Sequence, residues 1–241
     1  MSRIIFYSKE SHSTEILKLL REKLQGHQIF QWPDLDCSPE ELDYAICWHP
    51  PQAFFRGATN LKAIFSLAAG VDHLLKHTEL PNQVPIVRLS DAGMADKIAE
   101  YVHYGVLRTH RGFHHYQRLQ KTGQWQPQPD IHAADYRVGI LGYGVIGRCV
   151  AHRLHAAGYQ VSAFKRSANT TEESFPVLTG NSDHFLSQLN VLVCILPLTA
   201  ETSGMINTEL LAQLPAGAHF INVGRGDQVV EDDLLLSLIH I

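Results

Sequence analysis

The sequence predicts an α/β protein with doubly wound parallel sheets, and three observations support this fold class. Segments with strand and helix patterns alternate along the chain, which is typical of a parallel sheet covered by helices. Residues 191–196 are continuously apolar, as expected for a central strand that is buried on both faces. Residues 138–141 form another apolar run, which passes through a glycine-rich turn into a helical pattern.

The first 95 residues contain five strand patterns and the start signals of two helices. The strands are expected at residues 3–8, 27–32, 44–48, 61–67 and 85–89. Ser13 or Thr14 can cap the first helix, whose apolar face includes Leu17 and Leu19. The sequence Ser38-Pro39-Glu40-Glu41 indicates another helix start, because serine, proline and glutamate occupy the cap, first and third positions.

A long helical pattern follows these strands. Apolar residues recur at three-, four- or seven-residue steps between residues 95 and 120, which predicts one helix of roughly 39 Å. Gly123 ends this helix, and residues 124–130 are polar and proline-bearing, as in a loop. We therefore expect two domains, one at residues 1–95 and the other at residues 96–241.

The glycine-rich turn has the pattern of a dinucleotide-binding fingerprint. Gly142 permits a tight turn, Gly144 lets the backbone approach a pyrophosphate, and Gly147 lets the helix pack closely against the strand. The phosphates are expected at the helix N-terminus, where N–H groups and the dipole favour negative charge. This pattern predicts a Rossmann domain at residues 96–241. Its cofactor-binding residues are Gly142, Tyr143, Gly144, Val145, Ile146 and Gly147.

The segment after the next strand, residues 160–164, predicts which dinucleotide is bound. An NAD-binding domain usually carries an acid there, to accept a hydrogen bond from the ribose 2′-hydroxyl. This chain instead has Lys165, Arg166 and Ser167, which offer two cations and a hydroxyl to a 2′-phosphate. We therefore expect NADPH to be preferred over NADH. The alternative is an exposed basic turn in a protein that tolerates NADH.

Composition excludes several other classes of protein. The chain has 241 residues, 45% of them hydrophobic, and a net charge of −4, which argues against nucleic-acid or membrane-surface binding. No signal peptide is recognisable, and the four cysteines lack CxxC or zinc-type spacing, so we expect a cytoplasmic protein with reduced thiols. His103, His110 and His114 could share one helix face, but no nearby ligand set completes a metal site. We therefore interpret them as a polar or partner-facing surface.

Four stretches together resemble the D-isomer-specific 2-hydroxyacid dehydrogenases, in the order found in that family. They are the sequence AGVDH at residues 69–73, the glycine fingerprint, LPLTAETSG at residues 196–204, and INVGRG at residues 221–226 with EDDLL behind it. Two further stretches, CWHPP at residues 47–51 and RLSDAGM at residues 88–94, most resemble the glyoxylate/hydroxypyruvate reductase A branch. The resemblance implies a flavodoxin-like substrate domain at residues 1–95.

The resemblance also implies a reaction, which is hydride transfer to C2 of a small 2-keto acid. Arg225 matches the family's catalytic arginine, and Ala69 and Gly70 match a turn whose N–H groups hold the substrate carboxylate. Trp48 resembles a wall of the substrate pocket, although a core tryptophan is the alternative. A homodimer through residues 95–130 is implied as well. The resemblance further implies a cofactor lining, which is formed by Leu196, Pro197, Leu198, Thr202, Val223 and Gly224.

The sequence departs from the family pattern after Arg225. The family's glutamate, in an Asp-Val-Phe…Glu-Pro stretch, and its acid/base histidine, in a Thr-Pro-His stretch, are absent from these 241 residues. The family's closing helix is absent too, so we expect a C-terminally truncated reductase that is itself inactive. The alternatives are a catalytically silent dinucleotide-binding module that acts by nucleotide-dependent association, and a phosphoglycerate-type dehydrogenase.

Overall fold

The computed structural model describes residues 1–90, 92–166, 173–179 and 183–239, and the chain divides into two compact units, residues 1–90 and 91–241. Each unit contains a five-stranded sheet. The first unit contains β1 (Arg3–Ser8), α1 (Ser13–Lys23), β2 (Gln28–Gln31), β3 (Tyr44–Trp48), β4 (Ala63–Ser66), α2 (Asp72–Leu75) and β5 (Ile86–Val87). The second contains α3 (Met94–His110), α4 (Phe113–Lys121), β6 (Arg137–Leu141), α5 (Val145–Ala156), β7 (Gln160–Phe164), β8 (Val177–Leu178), α6 (Asp183–Leu186), β9 (Val191–Cys194), α7 (Thr208–Leu211), β10 (His219–Asn222) and α8 (Glu231–Ile239).

The sheet of the first unit has the strand order β2-β1-β3-β4-β5, and its strands pair in parallel. This is the flavodoxin-like order. Helix α1 buries Leu17, but Leu19 is 53% exposed, so the prediction that Leu19 faces the core was wrong. Ser38 N–H donates to Glu41 Oε2 at 3.0 Å, although the segment forms only a short 3₁₀ turn, Pro39–Glu41.

The sheet of the second unit has the order β10-β9-β6-β7-β8, also with parallel pairs. When the strands are numbered within the unit and the sheet is read from β8 to β10, this is the Rossmann order 3-2-1-4-5. All four residues of β9 are buried, as the continuous apolar run predicted. The predicted fold class is therefore confirmed. Asn207 caps α7, since its Oδ1 accepts a hydrogen bond from Leu210 N–H at 3.1 Å.

The single long helix predicted for residues 95–120 was wrong. The structure has two helices there, and Gly112 separates them with a φ of +60°. A left-handed residue ends the hydrogen-bond ladder of α3, and glycine adopts this conformation with the least strain. The apolar spacing continued across the break because Val106 and Phe113 still lie seven residues apart. Periodicity therefore matched both helices and did not show the interruption between them.

His103 and His110, interpreted with His114 as a polar or partner-facing surface, are half-buried and also contact residues of their own unit. His110 Nε2 donates to Ile131 O at 2.7 Å, and its ring lies 4.7 Å from that of Tyr136. His103 meets Tyr159 edge-on, and burial, followed by the nearby charge of Arg153, lowers the pKa of His103. Among the described residues no group of histidine, cysteine, aspartate and glutamate side chains could hold a metal. Nor does any helix in the described ranges have the length and hydrophobicity needed to span a membrane.

Candidate functional site

The glycine-rich turn lies between β6 and α5, and its three glycines have different environments. A Cβ on Gly142, whose φ is +103°, would lie 2.9 Å from Ile195 O. A Cβ on Gly147 would lie 1.9 Å from Gly142 O, so neither position accepts a side chain. A Cβ on Gly144 would meet no atom within 4 Å. Close contacts with the protein backbone therefore explain why glycine occupies positions 142 and 147. The open space at Gly144 instead fits a pyrophosphate that approaches the start of α5.

Polar groups around Glu173 connect the turn to helix α5. The buried Glu173 carboxylate forms an ion pair with Arg148 Nε at 3.3 Å, and His152 Nε2 lies 3.1 Å from its other oxygen. The Tyr143 hydroxyl beside this carboxylate lowers the pKa of Glu173, and the charges of His152, Arg148 and Lys165 lower it further. Burial, followed by the Glu173 carboxylate, raises the pKa of Tyr143. Tyr143 is therefore a neutral phenol in the fingerprint turn.

The segment after β7 carries the predicted 2′-phosphate residues. Lys165 N–H donates to Leu178 O at 3.0 Å, which fixes the backbone where the strand ends. The Arg166 guanidinium is exposed and forms an ion pair with the exposed Glu201 carboxylate. Ser167 lies outside the described residues. Two cations thus follow β7, and an acid contributed by another loop pairs with one of them.

The segment after β9 contains Leu196, Pro197, Leu198 and Thr202. Thr202 Oγ1 donates to Pro197 O at 2.6 Å and accepts from Thr199 N–H at 2.8 Å. This hydroxyl therefore closes the loop on itself and fixes the backbone of the predicted cofactor lining. The loop also leaves Pro197 exposed.

The segment after β10 presents Arg225. Val223 N–H donates to Cys194 O at 3.0 Å and Gly224 N–H to Asn222 Oδ1 at 3.0 Å. Asn222 Nδ2 in turn donates to Arg225 O at 3.0 Å. The Arg225 side chain is exposed, and its Nη1 lies 3.3 Å from Gly224 O. A fixed backbone thus carries an exposed guanidinium.

These four segments follow the carboxyl ends of β7, β6, β9 and β10, which are consecutive neighbours in one parallel sheet. Carboxyl ends of parallel strands lie at the same edge of a sheet, where open α/β sheets bind ligands. Within the part of the second unit that the structure describes, the predicted residues therefore lie at one edge of the sheet. That edge offers a helix N-terminus with free space, two cations and an exposed arginine, a set of groups suited to a dinucleotide and a small anion.

In the first unit Trp48 is the last residue of β3, and the Ala69–Gly70 turn follows the neighbouring strand β4. Arg88 Nη1 donates to Ala69 O at 3.2 Å, which holds the turn from the side of its carbonyl. The Trp48 indole meets His49 edge-on, with 4.6 Å between ring centroids. The structure therefore brings these three predicted residues to one edge of the first sheet.

Comparison with known proteins identifies the family. The profile of the D-isomer specific 2-hydroxyacid dehydrogenase NAD binding domain matches residues 104–240. The chain belongs to this family. A curated family member, the glyoxylate/hydroxypyruvate reductase A of Klebsiella pneumoniae (strain 342), is 39% identical over 245 residues, which cover 98% of this chain and 76% of that protein. The resemblance stated from the four sequence stretches is therefore confirmed.

Two solved structures of 2-hydroxyacid dehydrogenases share the fold. The enzyme from Xanthobacter autotrophicus Py2, in complex with NADPH and MES, is 36% identical and superposes with a TM-score of 0.91. The aligned region covers 99% of this chain and 77% of the Xanthobacter chain. The NADPH-dependent glyoxylate/hydroxypyruvate reductase from Sinorhizobium meliloti, in complex with NADP and sulfate, is 34% identical with a TM-score of 0.89. The aligned region covers 100% of this chain and 78% of the Sinorhizobium chain.

Sequence reasoning missed three polar residues that contact the predicted ones. Glu201 pairs with Arg166, Glu173 neighbours Tyr143, and Gln228 accepts a hydrogen bond from Arg225 N–H at 2.9 Å. Glu201 lies within one of the stretches that carry the family resemblance, but its partner lies 35 residues away in the chain. The Arg166–Glu201 and Tyr143–Glu173 contacts join segments that lie far apart in the chain, so no local pattern marks them. The Arg225–Gln228 contact lies within one short turn, where the three-residue spacing was the available signal.

Proposed function

We propose that this protein is an NADPH-dependent reductase of small 2-keto acids, with glyoxylate or hydroxypyruvate as substrate. The observation that carries the proposal is the exposed Arg225, whose backbone is fixed after β10 at the sheet edge that also carries the glycine fingerprint. The name of the Klebsiella relative supports the choice of substrate.

The fingerprint and the basic segment after β7 provide the proposed cofactor site. Gly144 leaves room for the pyrophosphate at the start of α5. Lys165 and Arg166, with Ser167, take the 2′-phosphate, while the lining residues Leu196 to Leu198 and Thr202 with Val223 and Gly224 face the nicotinamide side. When bound, NADPH supplies the hydride that reduces the C2 carbonyl. The NADPH and NADP complexes of the two solved relatives support this cofactor.

Arg225 has the main chemical role in the proposal. Its planar guanidinium binds the keto-acid carboxylate and carbonyl oxygen together, and it stabilises the negative charge that grows on that oxygen. The N–H groups of Ala69 and Gly70 hold the carboxylate, and Trp48 excludes water beside it. In this assignment residues 1–95 form the substrate domain and residues 96–241 form the dinucleotide-binding domain.

Two measurements test the proposal. The product of the natural gene should oxidise NADPH in the presence of glyoxylate or hydroxypyruvate, as followed by absorbance, and Arg225→Met should lower kcat/KM by roughly 10²–10³-fold because it removes charge stabilisation. The 241-residue polypeptide should also bind NADPH in titration calorimetry. NADPH binding by the gene product without reduction of either acid would favour the silent module.

We also propose a cytoplasmic homodimer that pairs through residues 95–130. Several large side chains in this range are exposed, among them Tyr101 at 66%, Tyr104 at 56% and Trp125 at 78%. Large aromatic side chains are enriched at protein interfaces, so their exposure here supports the dimer. Light scattering of the gene product should give twice the monomer mass, and a monomer mass would refute the dimer.

A further inference from the structure

Gln228 is a buried polar residue at the end of the 3₁₀ turn Gly226–Gln228, with 0% of its surface exposed. Its Oε1 accepts a hydrogen bond from Arg225 N–H at 2.9 Å. Its Nε2 donates to Leu196 O at 2.8 Å and to Pro197 O at 3.1 Å. Both ends of the amide are therefore satisfied, as burial requires.

The position of this amide connects two loops. Leu196 and Pro197 follow β9, and Arg225 follows the adjacent β10, so the Gln228 side chain bridges the loops at the carboxyl ends of two paired strands. A Cβ on Gly224 would lie 2.3 Å from Gln228 Oε1 and 3.0 Å from Leu196 O. The glycine before Arg225 therefore leaves the space that the Gln228 amide occupies.

Each loop also has a hydrogen bond of its own. Thr202 Oγ1 donates to Pro197 O in the first loop, and Asn222 Nδ2 donates to Arg225 O in the second. These contacts fix the shape of each loop separately. Backbone bonds join the two loops further along, from Gly204 N–H to Asp227 O and from Ile206 N–H to Gln228 O, both at 2.9 Å. The Gln228 side chain adds the contact next to Arg225, and so relates the Arg225 backbone to the carbonyls of Leu196 and Pro197.

We propose that Gln228 is a positioning residue for the reaction, which acts by holding Arg225 at a fixed distance from the Leu196–Pro197 backbone. This inference rests on the proposed function, in which Arg225 binds the keto acid and Leu196 and Pro197 line the nicotinamide side. Gln228 touches neither ligand in this proposal. A displacement of about 1 Å in a reacting group can cost as much as a hundredfold in rate, so the bridge matters for substrate more than for dinucleotide.

Two substitutions test the two properties of the Gln228 side chain that the bridge requires, its hydrogen-bonding groups and its length. Gln228→Met keeps nearly the side-chain volume and removes both hydrogen-bonding groups, whereas Gln228→Asn keeps the amide and shortens it by one methylene. Titration calorimetry on the 241-residue chain measures the Kd of NADPH and then the Kd of oxamate, an unreactive keto-acid analogue, for the NADPH complex. Both variants should weaken oxamate by roughly tenfold or more while the Kd of NADPH stays within about twofold, because only the arginine moves.

The matched control is Gln213→Met. Gln213 follows α7, and its Nε2 donates to Glu209 O at 3.3 Å, away from the Arg225 loop. This variant should change neither Kd. Arg225→Met serves as the reference for complete loss of the arginine.

Each outcome has a defined meaning. If Arg225→Met weakens oxamate but both Gln228 variants bind it like the wild type, the positioning role is refuted and the proposed function survives. If both Gln228 variants lose NADPH and oxamate together, Gln228 supports the fold of the unit in general, and the inference is again overturned. If Arg225→Met itself binds oxamate normally, the proposed function fails at its arginine, and the role of Gln228 fails with it.

Discussion

The two sheets hold their candidate binding loops by different combinations of contacts. The first unit combines ring packing with a side-chain hydrogen bond, from Arg88 Nη1 to Ala69 O. In the first unit, aromatic rings pack after β3 and β4: His49, with a φ of +45°, stacks on His73 at 4.4 Å and meets Trp48 edge-on. In the second unit, side-chain hydrogen bonds and glycine contacts fix the loops, as Gln228 and Gly147 show. Ring contacts tolerate small shifts, whereas a hydrogen bond or a steric contact with backbone does not.

The largest expected effect separates the two kinds of glycine in the fingerprint turn. Gly147→Ala should lower the free energy of unfolding by about 3 kcal/mol or more, because its Cβ would lie 1.9 Å from Gly142 O. Gly144→Ala should change it by less than about 1 kcal/mol, because space is open there. The same Gly144→Ala variant should raise the Kd of NADPH by roughly tenfold or more, since the methyl group fills the proposed pyrophosphate space.

Denaturant unfolding and calorimetry measure these two quantities. The pair of variants is its own control, since each adds one methyl group to the same turn. Equal loss of stability in both variants would show that the open space at Gly144 has no relation to a ligand. Normal NADPH binding by Gly144→Ala would lead to the same conclusion.

The contrast between the sheets also explains how far the sequence could predict the structure. The strands and the fingerprint follow from local patterns, because period, glycine spacing and apolar runs are properties of short segments. The break at Gly112 escaped prediction, since a seven-residue step fits both one helix and two. The partners Glu201 and Gln228 escaped it too, because their contacts form between loops that only the folded sheet brings together.

Cofactor preference tests the basic segment after β7. Arg166→Asp should weaken NADPH by about 10–100-fold, since it removes a charge-assisted hydrogen bond to the 2′-phosphate, and should place NADH ahead of NADPH. The ratio of the two Kd values from calorimetry is the measurement. Glu201→Gln is the control, because it removes the ion-pair partner of Arg166 and leaves the proposed phosphate ligand in place. An unchanged ratio in Arg166→Asp would refute the assignment of this segment.

A substitution at Trp48 in the first unit should have a smaller effect on binding, and it should affect only the keto-acid analogue. Trp48→Phe should raise the Kd of oxamate by roughly tenfold, about 1.4 kcal/mol, and leave the Kd of NADPH unchanged. Trp32→Phe is matched to it, because Trp32 is also half-buried in the same unit but packs against Tyr7 and Phe54. Equal effects of the two variants would assign Trp48 to the core, the alternative that the sequence left open.

The smallest effect concerns the pH dependence of stability around Glu173. The Tyr143 hydroxyl and the charges of His152, Arg148 and Lys165 lower the pKa of this carboxyl in the folded chain. The pKa of a glutamate in the unfolded chain is about 4.3. Above this pH the ionised Glu173 contributes its full stabilisation, and the contribution is lost as the pH falls through the lower pKa of the folded chain.

Glu173→Gln should therefore be less stable than the wild type at pH 7, and the difference in free energy of unfolding should shrink below about pH 4. Urea unfolding at a series of pH values measures this difference, with Glu209→Gln on the exposed surface of α7 as the control. A difference that persists undiminished at low pH would mean that Glu173 contributes through packing rather than charge. In that case the fingerprint turn of the second unit would be held as the loops of the first unit are, by contacts between side-chain surfaces.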